Sequence, residues 1–352
     1  MIKEKINVLI VDDSAVVRQS LSRVLNSDPK IHVIAVAADP YVAVNKISKQ
    51  VPDVITLDIE MPKMDGLTFL QRIMSQHPIP VVIISSLTAK GSELAIRALE
   101  LGAVDIIQKN TLSIDTFSDN SQRIIDVVKA AGKSVVLRRA RARQTPKILA
   151  PSSTAPLSVT SNKIIAIGAS TGGTEAIRTV LEQMPIDCPG IIIVQHMPEM
   201  FTRSFAERLN NLCKIEVKEA QDGDSVLRGR ALIAPGNEHM ELRRSGAKYY
   251  IRTHNGETVN RHRPSVDVLF HSAAKHAGRN AVGIIMTGMG ADGAKGLLAL
   301  RQSGAYTLAQ DEKTSVVYGM PKEAVKLGAV DRIAPLNSLV EQTLASINFK
   351  MA

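Results

Sequence analysis

Apolar positions recur along this chain in two alternating rhythms. Short β-branched runs fall at Ile6 to Val11, Ile31 to Ala37, Val54 to Leu57, Val81 to Ile84 and Val104 to Ile107. Between them, stretches such as Ala15 to Leu25 and Glu93 to Leu101 carry apolar residues at helical spacing. Near-continuous apolar strands separated by helices predict a parallel sheet covered on both faces, here a five-stranded, doubly wound α/β domain. The rhythm resumes with strand Ile164 to Ile167, helix Thr174 to Gln183, strand Ile191 to Val194 and helix Phe201 to Asn211. A middle section with hairpin character, including Lys248 to Arg252, precedes helix Val266 to Ala277, strand Val282 to Met286, helix Ala294 to Ser303 and strand Tyr306 to Ala309. This predicts a second doubly wound α/β domain with a mainly parallel sheet, as a length of 352 residues also favours.

Between the two rhythms the composition shifts. From Lys129 to Lys163 there are eight basic residues and no Asp or Glu, and Gln144 to Asn162 is rich in Pro, Ser and Thr. The expected division is therefore 1–128, a basic linker over 129–161, and 162–352. The chain carries a formal +9, a surplus that would ordinarily point to nucleic acid or an acidic membrane surface. Its concentration in the linker leaves two nearly neutral domains and weakens that inference. Six Phe, five Tyr and no Trp also offer few rings on which bases could stack. Two cysteines, Cys188 and Cys213, are too few for a disulfide framework or a thiolate zinc site. The sequence has neither a signal-peptide core nor an apolar run of spanning length. The expectation is a cytoplasmic protein with no nucleic-acid partner.

Asp12 and Asp13 follow the first predicted strand, Asp58 the third and Lys109 the fifth. In a doubly wound sheet the carboxyl ends of the strands share one edge, so these side chains converge. Clustered carboxylates repel unless a cation joins them, and an all-oxygen set with room for water suits Mg2+. The stretches Val11-Asp12-Asp13-Ser14 and Leu57-Asp58-Ile59-Glu60-Met61-Pro62-Lys63-Met64-Asp65-Gly66, with the pair Ser85-Ser86 and Lys109, resemble the receiver domain of two-component response regulators, a flavodoxin-like fold. The resemblance implies that Asp58 accepts a phosphoryl group and that Asp12, Asp13 and Asp58 hold Mg2+. It further implies that Ser85 or Ser86 binds a phosphoryl oxygen and that Lys109 neutralises the new charge. Asn110 stands where that family usually has proline.

Strand Ile164 to Ile167 ends in Gly168-Ala169-Ser170-Thr171-Gly172-Gly173. This is the G-x-S-x-G spacing that exposes a hydroxyl on a sharp strand-to-helix turn. His196, two residues past the next apolar strand, is a candidate base. A third strand end carries Thr287-Gly288-Met289-Gly290-Ala291-Asp292-Gly293. Its three glycines, with Asp311 beyond them, also fit a dinucleotide-binding fingerprint. Only 59 residues follow Gly293, however, too few for the rest of such a fold. Reading Asp292 as the group that orients His196 explains more residues.

Those stretches, with Gln195-His196-Met197-Pro198, Ala234 to Met240, Arg261 to Asp267, Gln310-Asp311-Glu312 and Gly319-Met320-Pro321, are similar to the CheB-type chemotaxis methylesterase domain. The order of the two domains is also that of this family. The resemblance implies hydrolysis of glutamate methyl esters on methyl-accepting chemoreceptors, with deamidation of receptor glutamines. It implies control by a receiver that covers the esterase site until a CheA-type histidine kinase phosphorylates it. Ser170 would then be the nucleophile, His196 the base and Asp292 its orienting acid, with Thr171 and Met289 on the oxyanion side. The esterase site would need no cofactor, and membrane association would come only through the receptors. The competing reading is a response regulator whose second domain binds DNA or another partner without catalysis. On the esterase reading the linker charge is expected to meet acidic receptor or receiver surface. Replacing Arg138, Arg139, Arg141 and Arg143 with Gln should weaken receptor binding or alter basal activity, and no change in either assay would leave the linker a solvated tether.

Overall fold

A computed structural model of the chain describes residues 5–61, 64–86, 88–109, 119–134 and 163–349. Asn110 and the four linker arginines lie outside these residues. The first domain runs β1 (Ile6–Val11), α1 (Ala15–Asn26), β2 (Ile31–Ala37), α2 (Pro40–Ile47), β3 (Val54–Asp58), α3 (Gly66–Gln76), β4 (Val81–Ser85), α4 (Ala89–Glu100), β5 (Asp105–Gln108) and α5 (Asp119–Lys133). Its five strands lie in the order β2-β1-β3-β4-β5, and every pairing is parallel. Val8 and Ile10 pack into one apolar layer and Leu9 and Val11 into the other, so the sheet is covered on both faces.

Two boundaries differ from the sequence reading, each for a local reason. α4 starts a turn before Glu93 because Thr88 caps it, its Oγ1 accepting from the Gly91 N–H at 2.9 Å. α5 continues through Lys133, with Val128 and Ala131 buried and Lys129 paired with Asp28. Lys129 and Lys133 thus lie on a helix of the first domain, where charge alone had grouped them with the linker.

The second domain comprises β6 (Ile164–Ala169), α6 (Gly173–Glu182), β7 (Gly190–Gln195), α7 (Phe201–Leu212), β8 (Glu216–Glu219), β9 (Arg230–Ile233), β10 (His239–Ser245) and β11 (Lys248–His254). It continues with α8 (Val266–His276), β12 (Ala281–Ile285), α9 (Ala294–Gln302), β13 (Tyr306–Gln310), α10 (Met320–Lys326), β14 (Arg332–Ala334) and α11 (Leu339–Phe349). Seven strands form one parallel sheet in the order β14-β13-β12-β6-β7-β9-β8, and β10 and β11 form a separate antiparallel hairpin. The hairpin matches the sequence reading. β8 and β9 are additional strands of the main sheet, short and with Glu216 and Arg230 not buried, which is why no apolar run marks them.

The chain leaves β6 toward β7 on one side and returns to β12 on the other. The switch point of the sheet therefore lies between β6 and β12, where an open parallel sheet forms its crevice. The two domains also meet directly. Ile96 and Leu99 on α4 belong to the same buried apolar cluster as Phe205 and Leu209 on α7. Beside them Arg208 Nε reaches Glu100 Oε1 at 2.6 Å, and Arg261 reaches Asp126 at 3.7 Å.

α8 and α9 pack closely because Gly296 has no side chain. A Cβ there would lie 2.6 Å from Phe270 Cβ and 3.0 Å from the Asp267 carbonyl oxygen. This approach presses the loop before α9, which carries Asp292, onto the start of α8. Gly296→Ala is expected to lower stability by about 1–3 kcal/mol through overpacking, read as a lower urea midpoint for the second domain. A midpoint equal to that of the parent chain would refute the close-packing argument.

Candidate active site

Ser170 sits on the turn between β6 and α6, and three strands hold its backbone. Its N–H donates to the Thr287 carbonyl at 3.0 Å, beyond β12, and its carbonyl accepts from Gln195 Nε2 at 2.9 Å at the end of β7. The Gly173 N–H closes the turn on the same carbonyl at 2.6 Å. Gly288 leaves room for the serine side chain, since a Cβ there would stand 2.8 Å from Ser170 Cβ. His196 follows the end of β7 and is the serine's neighbour, its N–H donating to the Ala169 carbonyl at 3.1 Å.

The histidine is fixed by Asp292, whose Oδ2 lies 2.8 Å from His196 Nε2. Asp292 is buried, and its Oδ2 also accepts from the Val266 N–H at 2.7 Å. Its Oδ1 accepts from Ser265 Oγ at 2.7 Å, Asn260 Nδ2 at 2.7 Å and the Asp267 N–H at 3.3 Å. Two of these donors are the first amides of α8, so the carboxylate caps a helix N-terminus. Burial alone would raise its pKa, but the bonds from His196, Asn260 and Ser265 outweigh it and hold the carboxyl well below the usual range. An ionised carboxylate only accepts hydrogen bonds, so His196 Nε2 must carry the proton. The lone pair is then left on Nδ1, which is buried and meets no hydrogen-bond partner among the described residues.

The sequence reading assigned no role to three groups in this constellation: Ser265, His262 and Asn260. His262 stacks on His196 with ring centroids 3.7 Å apart and planes 10° from parallel. Burial, with a smaller contribution from a charged His196, pushes the His262 pKa down to about 2. Asn260 joins Asp292 to Asp267, donating to the latter at 2.8 Å. His262 and its neighbours from Arg261 to Asp267 were visible only as a run without assigned chemistry.

Thr171 and Met289 flank this centre, and among the described residues neither backbone N–H meets a protein acceptor. The Thr171 hydroxyl is taken by the first domain, donating to Asp105 Oδ2 at 2.6 Å. The Asp105 carboxyl is raised, mainly by burial against this surface. The first domain thus reaches the residue next to Ser170.

In the first domain Asp12, Asp13 and Asp58 offer carboxylate oxygens that all lie within 4.8 Å of one another. Asp12 Oδ1 accepts from the Ser14 N–H at 2.9 Å and Asp58 Oδ1 from the Glu60 N–H at 3.1 Å, so turns two residues long orient both. Lys109 Nζ lies 2.7 Å from Asp58 Oδ2 and 3.3 Å from Asp12 Oδ2. Burial and the Asp58 charge raise the Asp12 pKa. Burial opposes the charge on Lys109, but its two carboxylates win and raise its pKa. Among the described residues Asp12 Oδ2 is buried and accepts no well-formed hydrogen bond, a donor set that fits a hard divalent cation. Ser85 Oγ donates to the Gly91 carbonyl at 3.1 Å and Ser86 Oγ to Glu60 Oε2 at 2.7 Å, so neither hydroxyl is bonded to Asp58 in this arrangement.

The pKa of His262 yields a stability test. Unfolded, a histidine titrates near 6.5, and folded His262 stays neutral down to about 2. The unfolded chain therefore binds the extra proton as pH falls. The contribution of His262 is complete above pH 6.5 and is lost below it by up to about 1.4 kcal/mol per pH unit. His262→Gln should flatten the loss of urea stability on going from about pH 6.5 to 4.5, and an unchanged slope would mean that His262 is not neutral in the folded chain.

Comparison with known proteins places this geometry. Residues 165–343 match the CheB methylesterase family and residues 8–117 the response regulator receiver domain. A Geobacter metallireducens protein named protein-glutamate methylesterase/protein-glutamine glutaminase 3 is 57% identical over 352 residues, covering 97% of this chain and 99% of its own. A Salmonella typhimurium protein of the same name without the numeral is 55% identical over 347 residues, covering 98% of this chain and 97% of its own. The crystal structure of the Thermotoga maritima CheB methylesterase catalytic domain superposes with a TM-score of 0.51 at 36% identity, covering 53% of this chain and 98% of that one. The competing reading of a non-catalytic output domain does not survive these matches, and the chain belongs to the CheB methylesterase family, with a response regulator receiver domain ahead of the methylesterase domain.

Proposed function

We propose that this protein is a phosphorylation-activated protein-glutamate methylesterase and protein-glutamine glutaminase of chemotaxis adaptation. The observation that carries the reading is the Asp292 to His196 hydrogen bond at 2.8 Å, which leaves the unprotonated Nδ1 free to accept a proton. Ser170 Oγ attacks the γ-carbonyl carbon of a methylated glutamate while its proton passes to His196 Nδ1. The tetrahedral oxyanion meets the N–H groups of Thr171 and Met289. Collapse breaks the C–O bond, and His196 returns the proton to the departing methanol. Water, deprotonated by His196, then cleaves the acyl-enzyme and releases the carboxylate. A glutamine side chain passes through the same intermediate with ammonia as leaving group.

Asp58 is the phosphoryl acceptor in this reading, and Asp12, Asp13 and Asp58 would hold Mg2+. Bound there, the ion would neutralise charge on the transferring phosphoryl group. Lys109 pairs with the phosphoryl oxygens, as does Ser85 or Ser86. A CheA-type histidine kinase supplies the phosphoryl group, and methyl-accepting chemoreceptors are the substrate, met from the cytoplasm. No helix among the described residues is long and apolar enough to cross a membrane. The switch follows from β5: Lys109 lies just past its end, and Asp105, bonded to Thr171, begins it. A phosphoryl group on Asp58 draws Lys109 into a new contact at one end of this short strand, and the inhibitory bond at the other end is exchanged for the open arrangement.

Methanol release from methylated receptor membranes, with and without a small acyl phosphate and Mg2+, tests both halves. Ser170→Ala should abolish release by more than about a thousandfold while Asp58 still takes the phosphoryl group. Asp58→Asn should keep basal release and lose its stimulation. Full release by the Ser170 variant would overturn the nucleophile, and stimulation surviving in the Asp58 variant would overturn the switch.

A further inference from the structure

Beside the candidate active site the second domain holds a separate polar cavity of about 480 Å³. Asn260 lines its near end and also donates to Asp292 at 2.7 Å, so the cavity begins one side chain from the catalytic acid. From there it follows α8, where Asp267, His271 and Lys275 recur at intervals of four along one face. That spacing covers about 12 Å of helix. Arg243 of β10 and Lys295 of α9 close the sides.

The charges in this groove are not balanced from within. Glu241 is held by Arg243 at 2.5 Å, and Asp267 is taken by the Gly296 N–H at 2.6 Å and by Asn260. Lys275 and Lys295 line the groove, and neither has a carboxylate within ion-pair distance among the described residues. Arg243 and His276 also line the groove, and among the described residues their buried Nε and Nε2 atoms meet no hydrogen-bond partner. Burial, with smaller contributions from Arg243 and Lys275 and against the opposing charge of Glu241, holds His276 below its ordinary pKa. The groove's unpaired charge is therefore carried by the two lysine ammonium groups, which a carboxylate entering it would match.

We propose that this groove binds carboxylate side chains of the substrate segment next to the reacting residue. The proposal rests on the esterase and glutaminase reading. Each turnover converts a neutral ester or amide into a carboxylate, so a segment already processed nearby presents the charge this groove lacks. The groove then favours substrates with acidic neighbours, and one hydrolysis promotes the next within reach of α8.

Two peptides test this, each with one glutamate methyl ester, flanked in one by glutamates a helical turn away and in the other by serines. The full chain is assayed for methanol release in a small acyl phosphate and Mg2+, alongside the double variant Lys275→Gln/Lys295→Gln. The parent chain should prefer the glutamate-flanked peptide by roughly fivefold in kcat/KM, the worth of two exposed ion pairs. In the variant that preference should vanish through KM, with kcat and the serine-flanked rate unchanged. Equal rates on both peptides in the parent chain, or a preference that survives in the variant, would overturn the groove's role. No methanol from either peptide would overturn the esterase reading itself, and the groove's role with it.

Discussion

A buried, ionised carboxylate is the constraint around which the second domain is arranged. Asp292 receives five hydrogen bonds, from Ser265, Asn260, His196 and the amides of Val266 and Asp267. A carboxylate removed from water without such partners would be neutralised instead, because its desolvation exceeds what one neighbour can return. Supplying them requires α8 to begin beside the turn after β12. That in turn requires the close α8–α9 approach at Gly296 and the loop that brings Asn260 and His262 over the sheet edge. The same charge sets the His196 tautomer. The chemistry proposed for His196 is therefore a consequence of how one anion is satisfied.

Both sites sit at the carboxyl edge of a parallel sheet, yet their electrostatics are opposite. Around Asp292 the donors are fixed groups of the chain, and the charge is fully matched. Around Asp58, among the described residues, the carboxylates outnumber the one lysine that touches them, and Asp12 keeps a buried oxygen without a well-formed hydrogen bond. The first arrangement is preorganised for repeated turnover. The second is left short of positive charge, which on the proposed function a bound metal ion would supply to the phosphoryl group.

The strand-end residues were legible in the sequence because parallel α/β sheets place them by topology alone. A β-branched run followed by Asp12, Asp58, Ser170, His196 or Asp292 fixes each on a known edge before any side-chain contact is known. The supporting groups were not legible for the complementary reason. Asn260, His262 and Ser265 lie on an irregular loop between the hairpin and α8, where no periodicity constrains position. Their contacts to Asp292 and His196 span 27 to 66 residues of chain. β8 and β9 escaped because four-residue strands with exposed or half-exposed ends leave too little apolar signal. Asp105 is a stronger case. It is an unremarkable acidic residue at the start of β5, and only the docking of one domain on the other gives it Thr171 as partner.

That docking has the composition of a contact meant to open. Its ion pairs use exposed side chains, Arg208 at 47% and Arg261 at 68%, and such pairs are worth about 0–1 kcal/mol each. The apolar part sets Ile96 and Leu99 against Phe205 and Leu209 in one buried cluster shared by both domains, and Val316 packs against the first domain's other apolar layer. The Thr171 to Asp105 bond is short but holds a carboxyl that burial disfavours in its charged form. A ligand moves a two-state balance from 1:99 to 99:1 only if it prefers one state by about 5.5 kcal/mol. A large, dry interface would place the closed state beyond the reach of one phosphoryl group. On the proposed function, a seam held among the described residues by exposed ion pairs, the Thr171 to Asp105 bond and apolar side chains is the contact that a phosphoryl group on Asp58 would have to outweigh.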